Sequence, residues 1–199
     1  TNEISSNAKY HLDKWYITNI IDQQDDDGDL LSNYIVDATF CNDRSIIDKT
    51  YNSGYKLNQH TYYSAFTRLY QSLNLQAILR CSSDIRDKFS TTATYGNAKL
   101  TYPVALITAD EVTLAGGKYN TKNENYYLHT NGYFWTMTPS TFNSSSIGAY
   151  GWFVNLDGSL SSARMTNNFG QRAVINIRSD VLISSGDGTT ENPYRLALK

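Results

Sequence analysis

The segment from 131 to 177 contains a series of short runs rich in β-branched and aromatic residues, each bounded by Gly, Asn, Asp or Ser. This pattern is typical of strands in an antiparallel sheet, because such side chains pack well on a pleated surface and the bounding residues favour turns. Asp157-Gly158 lies between two of these runs and predicts a β-hairpin, since its backbone twist matches that of paired strands. We predict strands at 132–137, 149–156, 160–165, 171–178 and 193–198.

Apolar residues at helical spacing predict three helices in the first two thirds of the chain, at 5–21, 60–73 and 109–115. The last helix begins with a capping box, in which the Thr108 hydroxyl can bond the amide of Glu111 and the Glu111 carboxylate can reach back. Helices followed by a cluster of short strands predict an α+β fold. We expect the helices to cover one face or flank of a twisted antiparallel sheet and to leave its other face, or its loops, free.

The composition favours a surface for recognition and disfavours two kinds of partner. The chain has 16 Tyr in 199 residues, and Ser, Thr and Asn fill most polar positions. Tyr, Ser, Gly and Asn are typical of adaptable binding surfaces, although Tyr and Thr also simply suit the strands of a β-rich secreted protein. The net charge of −2 argues against electrostatic attraction to nucleic acid or to an anionic membrane. No apolar run of about 18 residues is present to insert into a bilayer.

The two cysteines, Cys41 and Cys81, suit one disulfide in an oxidising compartment, with two separate buried thiols as the alternative. A disulfide closing a loop of about 40 residues would stabilise the fold by on the order of 3–4 kcal/mol. We predict no metal site. The acidic run from Asp25 to Asp29 lacks carboxylates at the first and last positions of a calcium loop, and the three His lack ligand spacing to a Cys.

Three segments carry motifs that occur in a definite order. They read Tyr-Pro-Val-Ala-Leu-Ile-Thr-Ala-Asp-Glu-Val at 102–112, Tyr-Phe-Trp-Thr-Met-Thr-Pro-Ser at 133–140 and Gly-Gln-Arg-Ala-Val-Ile-Asn-Ile at 170–177. In order and spacing they resemble bacterial surface domains with a C-type-lectin-like fold. That fold is shared with formylglycine-generating enzymes and with the variable proteins of diversity-generating retroelements. The chain departs from the family pattern at Thr138, where Ser is usual, and at Ala173, where Pro is usual.

The resemblance covers roughly residues 35–198 and implies a C-type-lectin-like ligand-binding domain at 35–199. The helix and acidic loop at 1–34 would be part of this domain or lead into it. The segment Phe40 to Ser45, together with Cys81, also resembles a Gram-positive gut-bacterial subset. Some members of that subset follow a pilin-like or other anchoring N-terminus.

The resemblance further implies that the hairpin and loop at 150–169 display side chains to ligands. The candidate ligand-binding residues are Tyr150, Trp152, Asn155, Ser159, Ser161, Arg164, Asn167 and Asn168. Rigid aromatic rings held beside small polar groups on a strand pair suit this role. In a regular strand Trp152 and Phe153 face opposite sides, so one of the two rings points inward, and either orientation is open.

No catalytic residues are predicted. The formylglycine-generating relatives use a pair of cysteines near the C-terminal core, and this chain has no cysteine after Cys81. The Glu-Pro-Asn or Gln-Pro-Asp loop of calcium-dependent animal lectins is also absent. We therefore expect a non-enzymatic domain without a cofactor or metal.

The resulting hypothesis is an extracellular, adhesin-like or receptor-like domain of a bacterial surface protein, with a diversified variable protein as one form of it. Its partner would be a protein or glycan on a host, a neighbouring cell or a phage. We expect it to be attached to the cell surface through a segment outside this sequence. The alternative hypothesis is a structural head subunit of a pilin-like appendage, in which the helix at 5–21 continues an upstream helix.

Overall fold

The computed structural model describes residues 6–47, 60–70, 76–81, 83–144, 146–189 and 191–198. Within these ranges the chain has an α+β fold with three α-helices and mostly antiparallel strands. The helices are α1 (Asn7–Asn19), α2 (Ser64–Tyr70) and α3 (Ala109–Ala115). No helix in the described part is both long enough and apolar enough to cross a membrane.

The strands are short, apart from two in the middle of the largest sheet. In chain order they are β1 (Phe40–Cys41), β2 (His60–Tyr62), β3 (Lys88–Phe89), β4 (Ala105–Leu106), β5 (Phe134–Asn143), β6 (Gly148–Val154), β7 (Leu160–Arg164), β8 (Gly170–Gln171), β9 (Ala173–Val174), β10 (Leu182–Ser185) and β11 (Arg195–Ala197).

The central sheet has the strand order β2-β5-β6-β7, and β8 pairs with β5 in parallel. β6 and β7 form the antiparallel hairpin predicted around Asp157-Gly158, in register from Tyr150 opposite Arg164 to Val154 opposite Leu160. The pairing of β5 with β6 shifts register on both sides of Pro139. Proline has no N–H to donate to a ladder, which accounts for the irregularity at that position. Two-stranded antiparallel pairs β1–β3, β4–β9 and β10–β11 surround this sheet.

Two hydrophobic clusters hold the helices against the strands. The larger cluster packs α2 and α3 against one face of the central sheet, through Phe66, Leu69, Val112, Trp152 and Leu160 among others. The second cluster fixes α1 to the segments before β4 and around β9. Its buried members are Leu12, Tyr16, Ile20 and Val104. The N-terminal helix therefore buries its apolar side against the rest of the chain.

Local capping determines where two helices begin. Ser6 lies in extended backbone, and its hydroxyl accepts a hydrogen bond from the amide of Lys9 at 3.2 Å, so α1 starts at Asn7. The predicted capping box of α3 is confirmed: Thr108 Oγ1 accepts from the Glu111 amide at 3.1 Å, and Glu111 Oε2 accepts from the Thr108 amide at 2.7 Å.

Two predicted elements differ from the structure. The helix expected at 60–73 begins only at Ser64, because residues 60–62 form β2 and pair with the far end of β5; residues 71–73 lie outside the described part. The strand expected at 171–178 is divided, because β8 pairs with β5 whereas β9 pairs with β4. Both differences arise from pairing with distant strands, which outweighs local propensity.

Candidate functional site

Trp152 does not contact solvent, so its prediction as a ligand-binding residue is wrong. Its side chain is 0 % exposed and lies in the larger cluster, with ring centroids 6.4 Å from Phe66 and 5.9 Å from Tyr119. Because alternate residues of a strand face opposite sides, Trp152 shares the face of Val154, which α2 and α3 cover. A ligand could reach this ring only if the core opened.

Phe153 faces the other side of β6 and is also buried. Its ring is part of an aromatic cluster, with centroids 6.0 Å from Tyr133, 5.9 Å from Trp135 and 4.7 Å from Phe169. Phe169 comes from the loop after β7 and stacks on Tyr133 at 5.0 Å. Both faces of the middle of β6 are therefore covered, and neither aromatic residue of this pair is displayed.

The turn end of the hairpin is occupied by structural contacts. Ser159 is buried, and both its amide and its hydroxyl donate to Asp157 Oδ1, at 3.0 and 2.6 Å. These bonds, the hydroxyl bond first, lower the pKa of Asp157 below its ordinary value. Asn155 Oδ1 accepts from the Leu156 amide at 2.8 Å. The amide of Asn123 donates to the Asp157 carbonyl at 3.0 Å, which places the preceding loop against this turn. Ser159 is thus wrong as a ligand contact, and Asn155 is used to shape the turn.

The opposite, open end of the hairpin carries the remaining polar candidates. Tyr150 and Arg164 lie across from each other on β6 and β7, and Arg164 Nε donates to the Tyr150 hydroxyl at 3.0 Å. The guanidinium also lies 5.8 Å from the centre of the Tyr150 ring. Asn167 and Asn168 follow in the next loop and are exposed. Their side-chain amides have no hydrogen-bond partner among the residues that the structure describes.

The loop that carries these amides, residues 165–169, is tied to the sheet at both ends. The amide of Met165 donates to the Ala149 carbonyl at 2.9 Å, and the amide of Gly170 donates to the Tyr133 carbonyl at 2.9 Å. Between them, the Asn167 amide closes a turn onto the Arg164 carbonyl at 3.0 Å. The half-buried Phe169 ring holds the underside of the loop against the aromatic cluster.

The eight predicted residues therefore do not form one patch. Ser159 and Arg164 are five residues apart on an extended strand, roughly 16 Å. Ser161 lies between them on the Phe153 face and is half-buried. The structure brings together Tyr150, Arg164, Asn167 and Asn168 at the open end. We name this group, together with Met165, the hairpin site.

Sequence reasoning missed Met165, whose side chain is 52 % exposed. The Met165 side chain lies against the glycine at position 151, and a Cβ added to that glycine would be 2.4 Å from the Met165 sulfur. A large apolar residue directly after the small and polar residues from Ser161 to Arg164 was a signal that could have found Met165. Tyr133 was also missed as a contributor. Its ring is 40 % exposed and stacks on Phe169 beneath the loop.

Other polar clusters of the described chain are structural in their geometry. Arg68 pairs with the buried carboxylate of Asp110 and the largely buried carboxylate of Asp43, and the Asp110 Oδ1 atom also accepts from the Ile78 amide at 3.0 Å. Burial acts to raise the pKa of Asp43, but hydrogen bonds from Ser45 and Arg68 outweigh it and lower that pKa. Cys41 and Cys81 form the disulfide that the sequence predicted, with their Cα atoms 4.7 Å apart.

No group of three or more potential metal ligands occurs within the described ranges. The acidic run instead forms a closed turn, in which Asp25 accepts from the amides of Asp27 and Asp29 and from the Tyr34 hydroxyl. The bond to Tyr34 is the main reason why the pKa of Asp25 is lowered, and it raises the pKa of Tyr34 to about 12.

Comparison of the chain with models of known protein families, with curated proteins and with solved structures found no match. A function for the chain has to be inferred from its own side chains.

Proposed function

We propose that this chain is a non-enzymatic, extracellular ligand-binding domain of a bacterial surface protein and that the hairpin site binds the ligand. The finer fold assignment, a C-type-lectin-like fold, is part of this proposal. The observation that carries the proposal is the pair of exposed amides, Asn167 and Asn168, on a short loop tied down at both ends. Exposed polar groups on a pre-ordered loop bind with little loss of conformational entropy.

The side chains of the hairpin site are suited to binding a ligand whose surface is mainly polar and has small apolar parts. Each Asn side chain supplies both donors and an acceptor, and Arg164 retains its Nη1 and Nη2 donors after the Nε bond to Tyr150. Met165 adds a flexible apolar side chain that adapts to irregular contacts. The ligand we propose is a protein or glycan on a host cell, a neighbouring cell or a phage.

The hairpin site can also change in sequence without loss of the fold. The side chains of Arg164, Met165, Asn167 and Asn168 are exposed, whereas the contacts that hold the loop come from the backbone and from Phe169. Substitutions at exposed positions of this kind usually change the free energy of unfolding by less than about 0.5 kcal/mol. This separation of support from display is what a diversified variable protein requires, and it supports that form of the proposal.

The proposed location is outside the cell, with attachment through a segment beyond this sequence. The disulfide between Cys41 and Cys81 is compatible with an oxidising compartment. The alternative, a head subunit of a pilin-like appendage, required α1 to continue an upstream helix. Ser6 is extended and caps the helix at Asn7, so the start of α1 gives that alternative no support.

The experiment is a binding screen of the purified domain against glycan arrays and against host, bacterial and phage surfaces. For any ligand found, the variant Asn167→Ala/Asn168→Ala is expected to bind at least tenfold more weakly with an unchanged melting temperature. The matched control is Asn125→Ala, an exposed Asn in the loop before β5. Full binding by the double variant would place the site elsewhere, and unfolding of the variant would show that the amides support the fold.

A further inference from the structure

α1 and the segment 171–173 line an open cleft of about 450 Å³ that shares no residue with the hairpin site. Its walls are formed by His11, Leu12, Trp15, Gln171, Arg172 and Ala173. The volume falls within the range of roughly 300–1,000 Å³ that is typical of small-molecule sites. Three other cavities, of about 210, 250 and 290 Å³, are smaller than that range.

Trp15 provides a flat apolar wall of this cleft. Its side chain is 37 % exposed, compared with 7 % for Trp135 and 0 % for Trp152. His11 and Trp15 are four residues apart on α1 and therefore lie on the same side of the helix, next to the buried Leu12. Leu12 anchors this side of the helix in the core and leaves the indole at the cleft, where it can contact a flat ligand surface.

Arg172 provides a fixed cation on the opposite wall. Its Nη1 donates to the Leu128 carbonyl at 2.6 Å, and its guanidinium lies 5.0 Å from the centre of the Phe134 ring. No carboxylate pairs with it in the described part of the chain, and none of the residues lining the cleft is acidic. Nε and Nη2 remain without a protein acceptor there. A guanidinium held in place with free donors is suited to bidentate binding of a carboxylate.

Two further polar groups line the same cleft. Gln171 Oε1 is buried and has no hydrogen-bond donor among the described residues. The exposed imidazole of His11 contacts the Tyr10 ring edge-on and makes no hydrogen bond in the described chain. Because it is buried, the Gln171 Oε1 atom is shielded from the cleft, whereas the Gln171 Nε2 group is not among the buried polar atoms without a partner and can donate to a ligand hydroxyl. The cleft thus combines a flat ring, a cation and hydroxyl-binding groups.

We propose that this cleft binds a pyranose that carries a carboxylate, such as a hexuronic acid. The carboxylate would pair with Arg172, the apolar face of the sugar ring would rest on Trp15, and hydroxyls would bond Gln171 and His11. A purely aromatic acid would offer no hydroxyl to the Gln171 amide or to His11, which favours a sugar. This site is independent of the hairpin site, so its failure would leave the proposed function unaffected.

The test is a titration of the intact domain with free glucuronate, followed by tryptophan fluorescence, in which Trp15 is the indole exposed to the ligand. We expect saturation with a Kd on the order of 1 mM or tighter. Glucose, which lacks the carboxylate, and cyclohexanecarboxylate, which lacks the hydroxyls, should each bind at least tenfold more weakly. Absence of saturation by glucuronate would overturn the proposal, and equal binding of cyclohexanecarboxylate would overturn the sugar assignment.

Variants then locate the site by isothermal titration calorimetry, which does not depend on the indole signal. Trp15→Ala and Arg172→Lys are expected to weaken glucuronate binding at least tenfold, since the lysine keeps the charge but not the planar fork. His11→Ala should weaken glucuronate binding to a smaller extent. His11 is exposed, so the substitution should leave the fold intact. The control is Ile17→Ala, a 46 % exposed apolar residue on the same helix that does not line the cleft. Unchanged affinity in Trp15→Ala would contradict the assignment.

Discussion

The Phe169 ring packs against the Phe153 ring, with the two centroids 4.7 Å apart. Phe153 belongs to the central sheet, whereas Phe169 belongs to the loop that displays Asn167 and Asn168. The contact therefore joins the displayed amides to the hydrophobic part of the fold. It also explains how an exposed loop can remain ordered, because an apolar anchor lies directly beneath it.

Replacing Phe169 with Ala should loosen this loop. The variant loses ring contacts with Tyr133, Trp135 and Phe153, and we expect a loss of about 2–3 kcal/mol in the free energy of unfolding, less than for a fully buried Phe. Hydrogen exchange of the Gly170 amide, which is bonded to the Tyr133 carbonyl, should become faster than in the parent chain. Urea denaturation and hydrogen exchange measure the two effects.

The control for this prediction is Asn168→Ala, which should change the free energy of unfolding by less than about 0.5 kcal/mol. If Phe169→Ala matches the parent chain in both stability and exchange, the ring does not hold the loop. The hairpin site would then lack the pre-ordered support on which its proposed role depends.

Gly158→Ala should destabilise the turn end of the hairpin. The loss of stability should exceed that of a Gly→Ala change at a position where no atom lies near the added Cβ. A Cβ at position 158 would lie 1.9 Å from the Asn123 carbonyl oxygen, and the backbone there has a φ of +76°. We expect a loss of about 2–5 kcal/mol, from the left-handed backbone and the clash together.

Gly28→Ala is the matched control for that change. Gly28 has a φ of +87°, but an added Cβ would meet nothing within 4 Å. We expect only the backbone contribution, about 1–2 kcal/mol. Equal losses in the two variants, measured by urea denaturation, would show that the contact with Asn123 does not restrict position 158.

The parts of the fold that were predicted correctly have signals within a few residues. The capping box at Thr108 and Glu111 and the turn at Asp157-Gly158 each specify a local backbone geometry, and both appear as expected. β2 and the division between β8 and β9 depend on partners far along the chain. Local patterns do not contain that information, so these elements were missed.

The orientation of the candidate side chains was predicted only in part for a related reason. Strand alternation requires Trp152 and Phe153 to face opposite sides, but which side the helices cover depends on the packing of α2. The second side is also covered, by Phe169 from a separate loop, so burial of both rings follows from tertiary contacts alone. Asn167 and Asn168 were named from the family resemblance, and both are exposed, because two polar residues in a loop have little apolar area to bury.

Arg68→Ala should destabilise the fold strongly. The guanidinium neutralises Asp43 and Asp110, both of which are largely buried, so its removal leaves two carboxylates without a cation. Breaking a buried pair in this way typically costs about 3–5 kcal/mol. Arg178→Ala is the control, because the Arg178 pair with Asp180 is exposed to solvent and should contribute much less to stability. Similar losses in the two variants would contradict the structural role assigned to Arg68.

The effect of Arg68→Ala should also depend on pH. In the parent chain the pKa of Asp43 lies below its ordinary value of 3.8, so this carboxylate stabilises the fold above that pH. Its contribution is lost as the pH falls through the lower, folded-state pKa. Without Arg68, only the hydrogen bonds from Ser45 oppose burial, so the pKa of Asp43 is lowered less and the variant loses less stability as the carboxyl becomes protonated. The difference in the free energy of unfolding between the parent chain and Arg68→Ala, measured by urea denaturation, should therefore shrink as the pH falls past 3.8. A difference that does not change with pH would contradict this role of Asp43.

Reduction of the disulfide should lower the stability of the domain without changing the hairpin site directly. Cys41 and Cys81 are separated by 40 residues in the sequence. In the chain-entropy model, opening a loop of this length destabilises the folded state by about 3–4 kcal/mol, because the unfolded chain gains conformational freedom. Urea denaturation with and without dithiothreitol measures the loss, and the double variant Cys41→Ser/Cys81→Ser should not respond to the reductant. A parent chain that also fails to respond would show that the disulfide contributes little, and it would remove one support for an extracellular location.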